Sequence, residues 1–269
     1  MSKQILRIPD SVMEYAPWSH TKASCALSCP YKFHLQYRVK QKGVGPEAFG
    51  QRIGKLVHMI LEWVSGRGMS VSHAYTHLVS IVELTHEEET EIQCFRDAIE
   101  DYVRGLEVFR KKHGVHKSQV KAEVHLGMRP DFTPTKSKWD KKGFYVGYID
   151  LMLMTPERVG IAIDHKTGVV MSTDTYRAQL ESYAVLLQSH HPRINAVQVA
   201  VHHVGADSNE RGTRTTWFPS FSAREIRTTL RANLIDYLTK AAENVKDRDP
   251  CKGWVCAFCD YKPTCPLFG

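Results

Sequence analysis

Gly147-Tyr148-Ile149-Asp150, followed closely by Ile161-Ala162-Ile163-Asp164-His165-Lys166-Thr167-Gly168, is the stretch on which the reading of this chain turns. Side chains alternate between the two faces of a β-strand, so Asp164 and Lys166 point one way and His165 the other. An acid and a lysine two positions apart close an apolar strand just before a glycine turn. That spacing predicts both charges at a strand end, where a site can open to solvent. Asp150 lies within another apolar strand, between Ile149 and Leu151. Burying its carboxylate alone is costly, and a divalent cation shared with Asp164 removes the cost for both acids.

Outward from this pair, the pattern predicts an α/β fold with a mixed central β-sheet flanked by helices. Strands are predicted at Val120–Met128, Phe144–Met154, Val159–Asp164, Ala196–Val204 and Thr213–Phe218, from β-branched and aromatic runs between turn-like segments. Helical spacing predicts helices over residues 19–37 with a break at Pro30, Glu47–Ser65, 72–83, 87–112, Ser172–Gln188 and Ser222–Asn244. Ser19 or Thr21 is a candidate N-cap for the first helix, and Ser222 for the last, with Glu225 at capping-box distance. The expected layout is one domain over 1–269, with a helical N-terminal part (19–115), a core (119–245) and a cysteine-rich tail (250–269). Lys136–Lys142 is a basic loop between two strands, read as a solvated hairpin tip with a DNA contact as the alternative.

The chain is 42% hydrophobic, with 10 Phe, 11 Tyr and 5 Trp, enough for a sizeable core and against global disorder. No apolar run approaches the ~18 residues of a membrane span, and Met1–Asp10 has no signal-like apolar segment. A cytoplasmic protein without a membrane partner is expected. The net charge of +7 favours an anionic partner, of which nucleic acid is the commonest.

Of the seven cysteines, Cys251, Cys256, Cys259 and Cys265 crowd the last 19 residues, while Cys25, Cys29 and Cys94 lie far upstream. Clustered thiols in a cytosolic chain read as metal or cluster ligands rather than as a disulfide framework. Cys256-x2-Cys259-x5-Cys265 supplies three thiolates, and a four-ligand site needs one more. Zinc and iron–sulfur are the two readings, and Cys25, Cys29 and Cys251 are candidate fourth ligands. Cys94 has no partner in view and is expected as a buried thiol.

Asp150…Asp164-x-Lys166 resembles the core of PD-(D/E)XK nucleases, and Asp164-His165-Lys166-Thr167-Gly168 is similar to the form used by RecB-type exonucleases. Gly54-Lys55-Leu56-Val57-His58 resembles the G-x-x-x-H of that branch, Gly147 to Asp150 its G-x-x-D strand, and Gln179-x3-Tyr183 its Q-x-x-x-Y. Glu123 fits the pattern less specifically. The literal Pro130-Asp131 pair is a decoy in a loop.

The resemblance implies a PD-(D/E)XK restriction-endonuclease-like core whose catalytic residues are Asp150, Asp164, Lys166, Gln179 and Tyr183. It also implies Mg²⁺ or Mn²⁺ held by His58, Asp150, Asp164 and the backbone carbonyl of His165. Ser19-x-Thr21-x-Ala23…Cys29-Pro30…Phe33…Tyr37 is similar to the opening of the iron–sulfur members, a group that includes the AddB and Cas-four nucleases. That likeness implies a [4Fe–4S] cluster on Cys29, Cys256, Cys259 and Cys265. The expected substrate is DNA, single-stranded or at ends, with protein partners in recombination, repair or CRISPR-type processing. A non-catalytic DNA-end clamp and a zinc-stapled interaction protein are the alternatives.

Overall fold

A computed structural model of the chain describes residues 6–44, 47–137, 140–167, 172–205 and 213–268. Gly168 of the lysine motif and residues 138–139 of the basic loop lie outside the described residues.

The chain opens with α1 (Asp10–Met13), α2 (His20–Ser28) and α3 (Pro30–Phe33), the last running on as a π-helical turn, His34–Val39. Ser19 caps α2, its hydroxyl accepting from the Lys22 amide at 3.2 Å. The expected break falls at Cys29, in extended backbone, with Pro30 at the first position of the next turn. Then come α4 (Phe49–Gly66), α5 (Val71–Ile81), α6 (His86–Cys94) and α7 (Arg96–Lys112). The single helix predicted over 87–112 is thus broken, with Phe95 between the two halves. Its ring lies over Gly205, where an added Cβ would come within 2.6 Å of Phe95 Cε1. Anchoring Phe95 there turns α7 away from the line of α6.

The sheet has the order β1 (Val120–Met128), β2 (Tyr145–Met154), β3 (Val159–Thr167), β4 (Ala196–Val204), β5 (Thr213–Trp217), and β6 (Phe221–Ser222) pairs with β4. β1, β2 and β3 form an antiparallel meander. α8 (Thr173–His190) crosses over to bring β4 parallel to β3, which makes the sheet mixed. β3 runs three residues past its predicted end because β4 pairs with it through Thr167↔Val204. After β6 the chain enters α9 (Ala223–Glu225), a π-helical turn (Ile226–Leu230) and α10 (Arg231–Asn244). Ser222 caps this run, accepting from the Glu225 amide.

Each face of the sheet buries its own core. α8, α10 and the first helices cover one face through Leu180, Ala184, Leu187, Leu238 and Phe33. α4 to α7 cover the other through Ile53, Val57, Ile60, Leu78 and Ile99. α4 buries Ile53, Leu56, Val57, Ile60, Leu61 and Val64, the i, i+3, i+4 stripe of a helix with one apolar face. The tail returns to the start: Val44 N donates to the Asp260 carbonyl at 3.0 Å and Tyr261 Oη to the Gln41 carbonyl at 2.8 Å.

Candidate active site

The alternation of β1 and β2 slips at one level. Tyr145 and Ile149 face the α8 core, as does Met152, while Leu151 and Leu153 face the α4 core. The change of phase falls at Asp150 and at its opposite number Glu123, a non-glycine residue at φ +49°. The register is the same on both sides of the slip, Ala122↔Leu151 and Val124↔Ile149. Alternation from Ile149 and Val124 sets both carboxylates on the α4 side, and the paired distortion keeps the next residues, Leu151 and Ala122, on that side as well. There β2 and β3 also part, for their pairing runs only from Met154↔Gly160 to Leu151↔Ile163. Asp150 and Asp164 flank the fork.

α4 lies close across this fork. A Cβ on Gly54 would come within 2.9 Å of Thr167 Oγ1, so a glycine there lets the helix approach the end of β3. One turn on, His58 Nδ1 stands 3.7 Å from Asp150 Oδ2. Single ligand-type atoms of His58, Glu123 and Asp150 all lie within 4.8 Å of one another. They line an open groove of about 410 Å³ with Gly54, Lys55, Met59 and Glu62. Asp150 Oδ2 also accepts from the His165 amide at 2.6 Å.

Asp164 is held from the α8 side. Its Oδ1 accepts from Gln179 Nε2 at 2.7 Å and from Tyr183 Oη at 3.1 Å, and Gln179 Nε2 also donates to Tyr183 Oη at 2.8 Å. Gln179 and Tyr183, one helical turn apart, thus grip the acid. Gly147 makes room, since a Cβ there would meet Leu186 Cδ1 at 2.6 Å. Asp164 Oδ2 is buried without a well-angled hydrogen bond and forms an ion pair with Lys166 Nζ at 2.6 Å.

Burial, then the charge of Asp164, push the Asp150 carboxyl well above the usual carboxylate range. Glu123, exposed at the mouth of the groove, is raised by partial desolvation there and by Glu62 and Asp164. Burial pushes the His58 imidazole down, against the pull of Asp164, and so keeps it neutral. Burial acts to lower the Lys166 ammonium, but the Asp164 and Asp150 charges outweigh it and its pKa rises.

The His165 side chain lies on the opposite face, buried, with Nε2 2.9 Å from Tyr102 Oη. Only its backbone therefore belongs to the fork. Asp131 sits in an exposed turn, where Thr133 N and Oγ1 both donate to it, away from the acids.

Cys29, Cys251, Cys256, Cys259 and Cys265 line one pocket with Tyr31, Val255, Tyr261 and Phe268. Cys29 Sγ accepts from the Lys32 amide and Cys256 Sγ from the Gly253 amide. Cys25 is outside that lining and faces Gln36 Oε1, its thiol pushed up to about 11 by burial. Cys94, expected as a buried thiol, is half-exposed on α6, with Sγ near the Thr90 carbonyl.

The sequence model of the PD-(D/E)XK nuclease superfamily matches residues 17–266. The chain belongs to that superfamily. No curated protein matches it. Among solved structures, a provisionally named exonuclease from Eubacterium rectale is similar, with a TM-score of 0.51 at 10% identity over 93% of this chain and 88% of the other. SSO0001 gives a TM-score of 0.37 at 13% identity, covering 97% and 94%. The first likeness is one of fold.

PD-(D/E)XK nucleases usually act with divalent metals, and the residues of this one fit such a cation. Two oxygen donors and a neutral imidazole converge in an open groove. Beside them lies the buried Asp164 Oδ2, whose one partner is the Lys166 ammonium. The donor set of oxygens with one nitrogen suits Mg²⁺ or Mn²⁺.

Sequence reasoning gave Glu123 too little weight, because its place depends on a left-handed residue that no pattern announces. It missed His203 and Tyr176 on the lysine's flank. His203 is the register partner of Lys166, and its Nε2 lies 3.4 Å from Tyr176 Oη. His20 also feels the site: burial, then the Lys166 charge, lower its imidazole to about 4. No helix among the described residues is long and apolar enough to cross a membrane.

Proposed function

We propose that this nuclease is a RecB-type, metal-dependent DNA exonuclease, acting on single strands or free ends in recombination, repair or CRISPR-type DNA processing. The convergence of His58, Glu123 and Asp150 beside Asp164 and Lys166 carries the reading. His58, Glu123, Asp150 and Asp164, with the His165 backbone, are the groups that would hold Mg²⁺ or Mn²⁺. A bound cation supplies Lewis acidity to the phosphate and makes a water nucleophilic near neutral pH.

Gln179 and Tyr183 fix the Asp164 carboxylate through two donors to one oxygen, which leaves its other oxygen to Lys166 and to a bound cation. Lys166, kept protonated by Asp164, donates to the phosphate or the attacking water and offsets charge that develops on the phosphate. With its pKa raised, it serves as a cationic donor in preference to a base. The net positive chain attracts the DNA backbone.

Cys29, Cys256, Cys259 and Cys265 are the proposed ligands of a [4Fe–4S] cluster that closes the tail onto α3. Their common pocket supports a shared centre, and the resemblance to the iron–sulfur members favours the cluster over zinc. Cys251 shares the lining and is the competing fourth ligand.

The test is cleavage of linear and circular single strands of the same sequence with Mn²⁺. Rapid loss of the linear strand with little cutting of the circle is expected. Equal cutting replaces the exonuclease with an endonuclease. Binding of ends without any cleavage supports the clamp.

A further inference from the structure

Tyr148 and His125 form an exposed cross-strand pair beside the metal fork, with ring centroids 4.6 Å apart and planes tilted by 60°. Tyr148 is 54% exposed, an unusual position for an aromatic ring on a strand whose neighbours Gly147 and Ile149 are buried. Its direction follows from the alternation. Tyr145 and Ile149 point into the α8 core, so Tyr148 points to the other face. On β1, Val124 and Leu126 pack into that same core, so His125 points with Tyr148.

By the same alternation Glu123 and Asp150, flanking Val124 and Ile149, face this side too. Four side chains therefore share one strip of sheet: Glu123 and His125 on β1, Tyr148 and Asp150 on β2. Tyr148 is two residues from Asp150, about 7 Å along the strand, a step comparable to one nucleotide. α4 covers the sheet only as far as the acids. A Cβ on Gly66 at its end would meet Ala122 Cβ at 2.8 Å, and one on Gly54 would meet Thr167, which leaves the strip beyond Asp150 open.

An exposed aromatic pair in a sheet has an ordinary use, since cross-strand pairs contribute ~0.2–1 kcal/mol to the sheet itself. That use explains the contact between the rings but not the location one step from the acids. Single-strand binding sites use this arrangement: an aromatic face for a base beside a groove that follows the backbone.

We infer that Tyr148, steadied by His125, is a stacking platform for the base of the nucleotide next to the one at the metal fork. Resting on the nuclease reading above, this assigns the strand's path: its phosphate lies over Asp150 and Glu123, and the adjacent base on Tyr148. Stacking is indifferent to base identity, so the platform gives purchase on single-stranded DNA without sequence preference. A base still paired and stacked in a duplex cannot use it.

The experiment measures binding of a fluorescent single-stranded oligonucleotide by anisotropy with Ca²⁺ in place of Mn²⁺, and cleavage in parallel with Mn²⁺. Tyr148→Ala should weaken binding and raise KM by on the order of 10- to 100-fold, the size of one base–aromatic stack, with kcat nearly unchanged. Tyr148→Phe and Tyr148→Trp should keep parental values, which a role for the hydroxyl would not allow. An oligonucleotide with one abasic position in register should bind the parent as weakly as Tyr148→Ala binds the intact strand, and the two defects should not add. Parental affinity in Tyr148→Ala, or additive defects, overturns the platform. If cleavage persists alongside that result, the nuclease reading stands. A parent that neither binds nor cleaves overturns both.

Discussion

The grip of α8 on Asp164 makes a prediction whose size follows from the structure. Tyr183→Phe removes one of two donors to Asp164 Oδ1 and leaves the buried ring in place. A hydrogen bond to a charged group is worth ~1.5–3 kcal/mol, and the 3.1 Å length puts this one at the lower end, about tenfold in an equilibrium. Gln179→Ala removes the shorter 2.7 Å bond and frees Tyr183 Oη, so its effect should be larger, roughly a hundredfold. Both changes leave the carboxylate present but poorly aimed. They should therefore appear as a higher half-saturating Mn²⁺ concentration, on the ~10–100-fold scale of groups that orient metal ligands. The assay is cleavage of a fluorescent oligonucleotide across a Mn²⁺ titration, with a thermal melt to show that each variant is folded. The double variant should exceed neither single loss by its full amount, because both donors serve one oxygen. Parental Mn²⁺ dependence in both folded variants would refute the grip. So would a Tyr183→Phe protein as inactive as Asp164→Ala.

Other consequences are as direct. The Asp150 carboxyl, raised by burial and by the Asp164 charge, keeps a proton that a cation must displace. Mn²⁺ affinity, read by the loss of free-ion EPR signal, should therefore climb as pH rises above the ordinary carboxylate range, and Asp150→Asn should remove that climb. The same raised group makes the metal-free protein lose stability as pH rises through its folded pKa. His202 acts in the opposite sense. Burial, then His203, depress it to about 4, so up to ~3 kcal/mol of stability is lost as pH falls from about 6.5 toward 4, and acid denaturation of His202→Gln should be shallower. Protein purified without oxygen should be brown with about four irons per chain. Cys265→Ala should lose that iron and Cys94→Ala keep it, whereas stoichiometric zinc in place of iron contradicts the cluster.

Much of this architecture is legible in the sequence because strand alternation and helical periodicity are local. Asp164 and Lys166 do share a face with His165 opposite, and α4 buries the stripe that its spacing predicts. The slip at Glu123 and Asp150 is not legible. Simple alternation from Ile149 sends Asp150 to the α4 side but Leu151 to the α8 side, and only the left-handed residue opposite on β1 lets the strand change phase there and bury Leu151 beside α4. The break at Phe95 is hidden for a related reason, since the ring is anchored by a glycine more than 100 positions away. The contacts of Lys166 with Tyr176 and His203 depend on which strand pairs with β3, which no spacing within the motif specifies.

The most direct test of the central claim is the cleavage of one fluorescent single-stranded oligonucleotide by the parent, Asp164→Ala, Lys166→Ala and Asp131→Ala, each with EDTA, Mg²⁺ or Mn²⁺. The parent should cut only with a divalent cation. Asp164→Ala should lose both Mn²⁺ binding and cleavage. Lys166→Ala should still bind Mn²⁺ and DNA while turnover falls at least ~100-fold, the scale of one transition-state group. Asp131→Ala should match the parent. Cleavage that survives EDTA, or an Asp164→Ala protein as active as the parent, would contradict a metal-dependent site at this fork.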